Sequence, residues 1–149
     1  MIWIIDDDIE FSSTVKSLIL NSSVLACSRP SLRGSLRKNA PVVARCTEEF
    51  KIRCFTNAIE AISCQEVPEL IFLDILLDGP DGFTFLNEMR SYEEFKNVPV
   101  VIMSSLNFKG KDLSAYGVVG YLNKSEMTPA EVAEYIKKYA SGDGNEWAE

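Results

Sequence analysis

The sequence predicts an α/β fold, a doubly wound (βα)5 three-layer sandwich around a central five-stranded parallel sheet. Short apolar runs recur along the chain and alternate with segments whose apolar residues have helical spacing. Some of these runs, such as residues 70–73, are apolar at every position, which is typical of parallel strands covered on both faces. Because parallel strands are joined by right-handed crossovers, this alternation favours one sheet between two helical layers.

The first half of the chain predicts two strands and two helices around an irregular segment. Residues 3–5 predict a strand, and residues 9–19, which follow an acidic start, predict a helix. Residues 50–55 and 57–65 predict the second strand and a short second helix. Between these pairs, residues 21–48 are rich in serine, arginine and proline and have few periodic apolar positions, so we predict an inserted loop there.

The second half predicts three more strands, at 70–73, 98–103 and 118–122. The third helix opens at Phe83, and a weaker fourth helix is interrupted by Gly110. The last helix has the clearest start, because Thr128 and Glu131 form a predicted capping box and Pro129 stands at the first helical position. The tail, residues 142–149, is predicted to fray.

Composition limits the classes of function that the chain can have. With 149 residues, 46% of them hydrophobic, the chain is long enough for one domain and too short to favour two. No apolar run is long enough to cross a membrane, and the start lacks the features of a signal peptide, so we expect a soluble cytoplasmic protein. The four cysteines fit no zinc pattern, histidine is absent, and we expect reduced, packed thiols. The net charge of −7 argues against nonspecific nucleic-acid binding, although residues 11–47 carry six basic residues and no acidic one.

Polar side chains follow four of the predicted strands: Asp6, Asp7, Asp74, Ser104 and Lys124. Ligands of such sheets bind beyond the carboxyl ends of the strands, so we expect these side chains to converge. Carboxylates about 4 Å apart repel by about 4 kcal/mol per pair at an effective dielectric constant near 20, which calls for a cation among them. Oxygen ligands suit Mg²⁺, and with Asp74 as nucleophile the site could form an aspartyl phosphate whose oxygens the lysine and the hydroxyl hold. The alternative is that these acidic residues only cap helices, which is the interpretation we favour for Asp8.

Four segments resemble the receiver domains of response regulators, the CheY-like superfamily: WIIDDD, IFLDILLDGPDGF, VVIMSS and GYLNK. The resemblance covers the chain except for the insert and the tail, and it implies a flavodoxin-like fold with strand order 2-1-3-4-5 in a receiver domain of residues 1–141. It implies that Asp74 is the phosphoacceptor. It assigns the metal site to Asp6, Asp7, Asp74 and the backbone carbonyl of Leu76, with Asp7 the more direct ligand of the first two. It assigns the switch roles to Ser104, Lys124 and Tyr121, the last being an aromatic residue that turns inward when the hydroxyl moves.

Three features depart from the family pattern. Asp78 and Ser125 stand where the family usually has proline, and we expect Asp78 to face solvent. The insert at 21–48 occupies a connection that is usually only a few residues long. No family role transfers to the insert.

The resemblance implies a phosphoacceptor of a two-component or phosphorelay system that binds Mg²⁺ or Mn²⁺ and is not an enzyme beyond self-catalysed phosphotransfer and autodephosphorylation. The implied partners are a sensor histidine kinase or phosphotransfer protein, and a downstream protein that binds the face of the fourth helix, fifth strand and fifth helix. Direct contact with nucleic acid or membrane is not expected. The chain is expected to be a monomer or a phosphorylation-dependent dimer.

Two other functions compete with this interpretation. A pseudo-receiver would keep the fold as an interaction module without phosphorylation, and the departures at Asp78 and Ser125 favour it. A phosphatase resembling the haloacid dehalogenase superfamily would use Asp6 and Asp8. However, Glu10 stands where that family has threonine or valine, and its later acidic pair is missing beyond Lys124.

Overall fold

The protein is described here from a computed structural model that covers residues 1–21, 51–108 and 110–140. Its sheet consists of β1 (Ile2–Ile5), β2 (Ile52–Phe55), β3 (Leu70–Leu73), β4 (Val100–Ser104) and β5 (Val118–Asn123). All neighbouring strands are parallel, and their order is β2-β1-β3-β4-β5. The predicted fold class and strand order are therefore confirmed.

Helices cover both faces of this sheet in the described part of the chain. They are α1 (Ile9–Asn21), α2 (Ala58–Ile62), α3 (Gly82–Met89) and α4 (Pro129–Tyr139), with 3₁₀ turns at Glu93–Phe95 and Ser114–Tyr116. Alternate residues of β1 point to opposite faces, so Trp3 and Ile5 pack in the core with α2 and α3. Ile2 and Ile4 pack in the core with α1 and α4. All four of these side chains are fully buried, as unbroken apolar strands predict.

The starts of two helices follow the predicted capping chemistry. The Asp8 carboxylate accepts a hydrogen bond from the Phe11 amide at 3.0 Å, so Asp8 caps α1 as expected. At α4, Thr128 and Glu131 form the reciprocal capping box, and Pro129 opens the helix. Local sequence therefore fixes where α1 leaves the end of β1 and where α4 follows the loop after β5.

The prediction of a fourth helix is wrong. Between β4 and β5, the described residues form only the short 3₁₀ turn Ser114–Tyr116. Gly110 has φ +85° and Gly117 has φ +72°, backbone conformations that end a right-handed helix. Phe108 lies in this irregular segment, with its ring 6.0 Å from that of Phe83 and 5.7 Å from that of Tyr121. Aromatic packing covers this part of the sheet in place of helical packing.

Arg90, just after α3, ties together segments that lack regular structure. Its guanidinium is partly buried and donates to the carbonyl oxygens of Tyr116, Phe95, Lys96 and Val98 at 2.6–3.0 Å. Desolvation by burial lowers the pKa of Arg90 from its ordinary value. The side chain thus connects the end of α3 to the approaches of β4 and β5 through main-chain carbonyls.

Some sequence predictions concern residues outside the described part of the chain. The insert is one of them, except that α1 extends to Asn21, the first residue of the predicted 21–48 loop. The tail 142–149 also lies outside, as do two of the four cysteines. Of the others, Cys54 is exposed, contrary to the expectation of packed thiols, and Cys64 is partly buried. Within the described part of the chain, no helix is long and apolar enough to span a membrane.

Candidate functional site

Three carboxylates meet at the carboxyl ends of the two central strands. Asp6 follows β1 and Asp74 follows β3, and these strands are neighbours with Ile5 opposite Leu73. The Asp74 amide donates to the Ile5 carbonyl at 2.9 Å, which continues the ladder to the acceptor candidate. Asp6, Asp7 and Asp74 each offer a carboxylate oxygen within 4.8 Å of the others. Asp6 and Asp74 are buried, with exposures of 0% and 3%, and Asp7 is half-buried.

Lys124 brings one positive charge to this acidic cluster. Its ammonium lies 2.6 Å from Oδ2 of Asp6 and 3.0 Å from Oδ2 of Asp74. The backbone holds the lysine there, because the Lys124 amide donates to the Ser104 carbonyl at 3.2 Å, one step beyond the β4–β5 ladder. The structure therefore brings together four of the predicted site residues, from the ends of β1, β3 and β5.

The charges and burial of these groups perturb their protonation. Burial raises the pKa of Asp6 above its ordinary value, and the hydrogen bonds from Lys124 and the Asp8 amide offset only part of that effect. Burial alone would lower the pKa of Lys124, but its contacts with Asp6 and Asp74 outweigh burial and raise it. Lys124 is therefore charged at neutral pH, while the ionised form of Asp6 is stabilised less than in water.

The remaining acceptor capacity of the cluster fits a divalent cation. Oδ2 of Asp6 is fully buried and contacts the ammonium of Lys124 at 2.6 Å. Oδ1 of Asp6 accepts from the Asp8 amide at 2.9 Å, and Oδ1 of Asp74 accepts from the Leu76 amide at 3.1 Å. An all-oxygen donor set from three clustered carboxylates suits Mg²⁺ or Mn²⁺. Asp6, Asp7 and Asp74 would hold the ion, and the Leu76 carbonyl belongs to the turn that adjoins them.

Ser104 and Tyr121 lie beside the lysine in a second group. Ser104 is fully buried at the end of β4, and its hydroxyl accepts from the Leu106 amide at 3.2 Å. The Tyr121 hydroxyl donates to the Leu106 carbonyl and lies 3.5 Å from the Ser104 carbonyl. Tyr121 is thus bonded to the loop that follows Ser104. The switch roles of these two residues stay predictions.

The two proline departures lie at the edge of the site. Asp78 is exposed and does not belong to the carboxylate cluster, in agreement with the expectation that it faces solvent. Ser125 is also exposed, and its amide donates to the Asn123 side chain at 2.9 Å, a bond that proline could not form. The serine therefore gives the loop that carries Lys124 a local hydrogen bond of its own.

Sequence reasoning missed two residues that shape the site. A Cβ at Gly82 would lie 2.8 Å from the Asp74 carbonyl oxygen and 2.7 Å from a methyl group of Ile75, so only glycine allows α3 this close to Asp74. The signal was present in the DGPDGF segment, where a glycine follows the helix-capping Asp81. Phe11 was also missed, and its ring centroid lies 4.5 Å from the Lys124 ammonium. Its position at the start of α1 gave no sign of that contact.

Comparison with known proteins agrees with this geometry. A family model described as the response regulator receiver domain matches residues 28–137. The chain is 31% identical over 108 residues to the sensor histidine kinase CheAY of Helicobacter pylori, covering 68% of this chain and 12% of that protein. It is 28% identical over 93 residues to the response regulator Rre1 of Synechocystis, covering 60% of this chain and 40% of Rre1. The chain thus spans less than half the length of these two relatives.

The fold is also similar to solved structures. One is the receiver domain of the sensor histidine kinase PA1611 from Pseudomonas aeruginosa, with a TM-score of 0.66 and 15% sequence identity. The match covers 93% of this chain and 94% of that one. That structure has a magnesium ion coordinated in its active site cleft. At this identity the similarity supports the fold alone.

Proposed function

Because the chain belongs to the response regulator receiver domain family of two-component signalling, we propose that it accepts a phosphoryl group on Asp74 and signals through protein–protein interaction. The observation that carries this proposal is the placement of the Asp74 carboxylate. It is almost fully buried, lies within 4.8 Å of two further carboxylates and contacts the ammonium of Lys124 at 3.0 Å. This arrangement places a nucleophilic carboxylate beside a fixed positive charge, which would stabilise the oxygens of the incoming phosphoryl group.

In the proposed transfer, a carboxylate oxygen of Asp74 attacks the phosphorus of the donor. An oxygen–phosphorus bond forms, the bond between phosphorus and the donor atom breaks, and the donor atom keeps the electron pair. Asp6, Asp7 and Asp74 would hold a divalent cation, which would neutralise charge on the phosphoryl oxygens. Lys124 exchanges part of its contact with Asp74 for one phosphoryl oxygen, and the Ser104 hydroxyl donates to another. The donor is a sensor histidine kinase or a phosphotransfer protein.

The resulting aspartyl phosphate provides the signal. A phosphoryl group brings about −1.5 to −2 charges and three acceptor oxygens, which attract Ser104 and Lys124. Movement of Ser104 carries the following loop, to which the Tyr121 hydroxyl is bonded through Leu106. We propose that the output face consists of β5, α4 and the irregular segment between Phe108 and Gly117. This segment replaces the predicted fourth helix, and α4 is the helix that the sequence predicted as the fifth. The protein acts in the cytoplasm, on another protein.

The test of the proposed function is incubation with Mg²⁺ and acetyl phosphate, followed by intact mass spectrometry. We expect a labile mass increase of one phosphoryl group that depends on Mg²⁺ and is lost in Asp74→Asn. The matched control is Asp78→Asn, because Asp78 is an exposed carboxylate four residues further along the same segment. Equal labelling of Asp74→Asn and the wild type would contradict the assignment of the acceptor.

The same experiment separates the rival functions. A pseudo-receiver would give no adduct with any small phosphodonor, even though it keeps the fold. A phosphatase would release phosphate with repeated turnover that depends on Asp6. The described carboxylate cluster and its lysine favour the phosphoacceptor over the pseudo-receiver, because burying these charges lowers stability and a pure interaction module has no use for them.

A further inference from the structure

The ammonium of Lys124 has a third neighbour in addition to its two carboxylates. It lies over the ring of Phe11, 4.5 Å from the ring centroid, while Asp6 and Asp74 contact it at 2.6 and 3.0 Å. The Lys124 side chain is only 15% exposed, so little water reaches it. An aromatic face at this distance attracts a cation, and the attraction strengthens as water is excluded.

The ring of Phe11 is placed by the start of α1. The Asp8 carboxylate caps the helix by accepting from the Phe11 amide at 3.0 Å, which fixes the first turn directly after the acidic segment. The partly buried Phe11 side chain packs against the core between the sheet, α1 and α4, a core that also contains Val15. Helix capping and core packing together therefore hold the ring beside Lys124.

An aromatic ring can hold the lysine without interfering with the rest of the site. A carboxylate in its place would add a fourth negative charge and compete for the cation and the phosphoryl group. The ring has no formal charge and accepts no proton, so it attracts the ammonium through its quadrupole alone. Lys124 thus remains beside Asp74, and one of its N–H groups can exchange the Asp74 oxygen for a phosphoryl oxygen.

We propose that Phe11 is a positioning residue for Lys124, with its ring holding the ammonium at the acceptor carboxylate. This inference rests on the proposed phosphoryl transfer to Asp74 and extends it to a residue of α1 outside the carboxylate cluster. The expected contribution corresponds to a factor of about 2 to 30 in the rate of phosphorylation, the range of cation–π interactions from exposed to desolvated sites.

The first test compares phosphorylation rates by intact mass spectrometry with acetyl phosphate and saturating Mg²⁺. Phe11→Leu keeps apolar packing but removes the aromatic face, and we expect it to lower the rate by the factor given above. Phe11→Tyr restores an aromatic face and should keep the rate within about twofold of the wild type. Val15→Ala is the matched control, because it loosens the buried face of the same helix without removing the ring. A wild-type rate in Phe11→Leu, an equal loss in Val15→Ala, or no recovery in Phe11→Tyr would overturn the proposal.

The second test needs no phosphorylation and therefore separates this inference from the proposed function. The ring current of Phe11 should shift the Lys124 Cε protons upfield in the NMR spectrum of the unphosphorylated protein. We expect that shift to disappear in Phe11→Leu and to persist in Phe11→Tyr and Val15→Ala. An unshifted Lys124 resonance in the wild type would overturn the inference without any variant. If the wild type shows the upfield shift but forms no adduct, the proposed function is wrong while the contact between Phe11 and Lys124 stands.

Discussion

Neutralising Asp7 should stabilise the protein in the absence of metal and remove most of its stabilisation by metal. Asp7 is the most exposed of the three clustered carboxylates, whose oxygens lie within 4.8 Å of one another. Lys124 contacts the other two, Asp6 and Asp74. Asp7→Asn therefore removes repulsion from two neighbours while it leaves both ion pairs of the lysine in place.

The size of this effect follows from the spacing. At 4.8 Å, the largest separation within the cluster, and an effective dielectric constant near 20, each carboxylate pair repels by about 3.5 kcal/mol, so two pairs give about 7 kcal/mol before screening. The charge of Lys124 and the solvent that reaches Asp7 cancel much of that repulsion. We expect Asp7→Asn to raise the free energy of unfolding by about 1–3 kcal/mol in a chelator. A metal ion that binds only the folded state would stabilise the wild type by about 2.7 kcal/mol at a concentration of 100 times its dissociation constant.

The assay is urea unfolding in EDTA and in saturating MgCl₂, for the wild type, Asp7→Asn and Asp78→Asn. We expect Asp7→Asn to be the most stable in EDTA, and its advantage to shrink or reverse when Mg²⁺ stabilises the wild type. Asp78→Asn should follow the wild type in both buffers, because that carboxylate lies outside the cluster. An Asp7→Asn variant that is less stable than the wild type in EDTA, or equally stabilised by Mg²⁺, would refute this electrostatic reasoning.

Three other predictions follow from individual contacts. Gly82→Ala forces a methyl group against the Asp74 carbonyl and Ile75, so we expect a loss of about 1–3 kcal/mol in urea unfolding and slower phosphorylation by intact mass. Arg90→Met leaves partly buried carbonyls without a donor, and we expect a loss of about 2–4 kcal/mol in urea unfolding, with an unchanged value contradicting the role of this side chain. The raised pKa of Asp6 means that the folded state binds its proton more tightly than the unfolded state does. The stability of the metal-free protein should therefore fall as pH rises from 3.8, the ordinary pKa of an aspartate, through the raised pKa of Asp6. The urea midpoint of Asp6→Asn should lack this part of the pH dependence.

The sequence was sufficient to predict the sheet, because each strand carries its own signal. Buried runs such as Leu70–Leu73 are apolar at every position, and each ends where a polar residue begins. Parallel pairing then puts those polar residues at one edge of the sheet, so the meeting of Asp6, Asp74 and Lys124 follows from local patterns and strand order. The cap at Asp8 could also be predicted, since its bond to the Phe11 amide is local.

The features that the sequence did not predict depend on contacts between segments that are distant in sequence. The apolar residues between β4 and β5 predict a weak helix, but Phe108 packs against Phe83 and Tyr121 from an irregular backbone. No local pattern distinguishes an aromatic residue in a helix from one in a packed loop. In the same way, Arg90 donates hydrogen bonds to carbonyls of several loops, and its sequence neighbours give no indication of these contacts. Tertiary packing decided both cases.

The charges of the site explain why phosphorylation should change its structure. Three carboxylates and one ammonium have a formal charge of about −2, which one divalent cation would neutralise. Phosphorylation of Asp74 would replace one carboxylate charge with a phosphoryl group of about −1.5 to −2, so the neutralised site would become negative again. A second cation is not needed to offset this negative charge if Lys124 moves closer to the phosphoryl oxygens and the Ser104 hydroxyl turns towards them. The Lys124 amide donates to the Ser104 carbonyl, so the ends of β4 and β5, which would respond to this charge, are already joined.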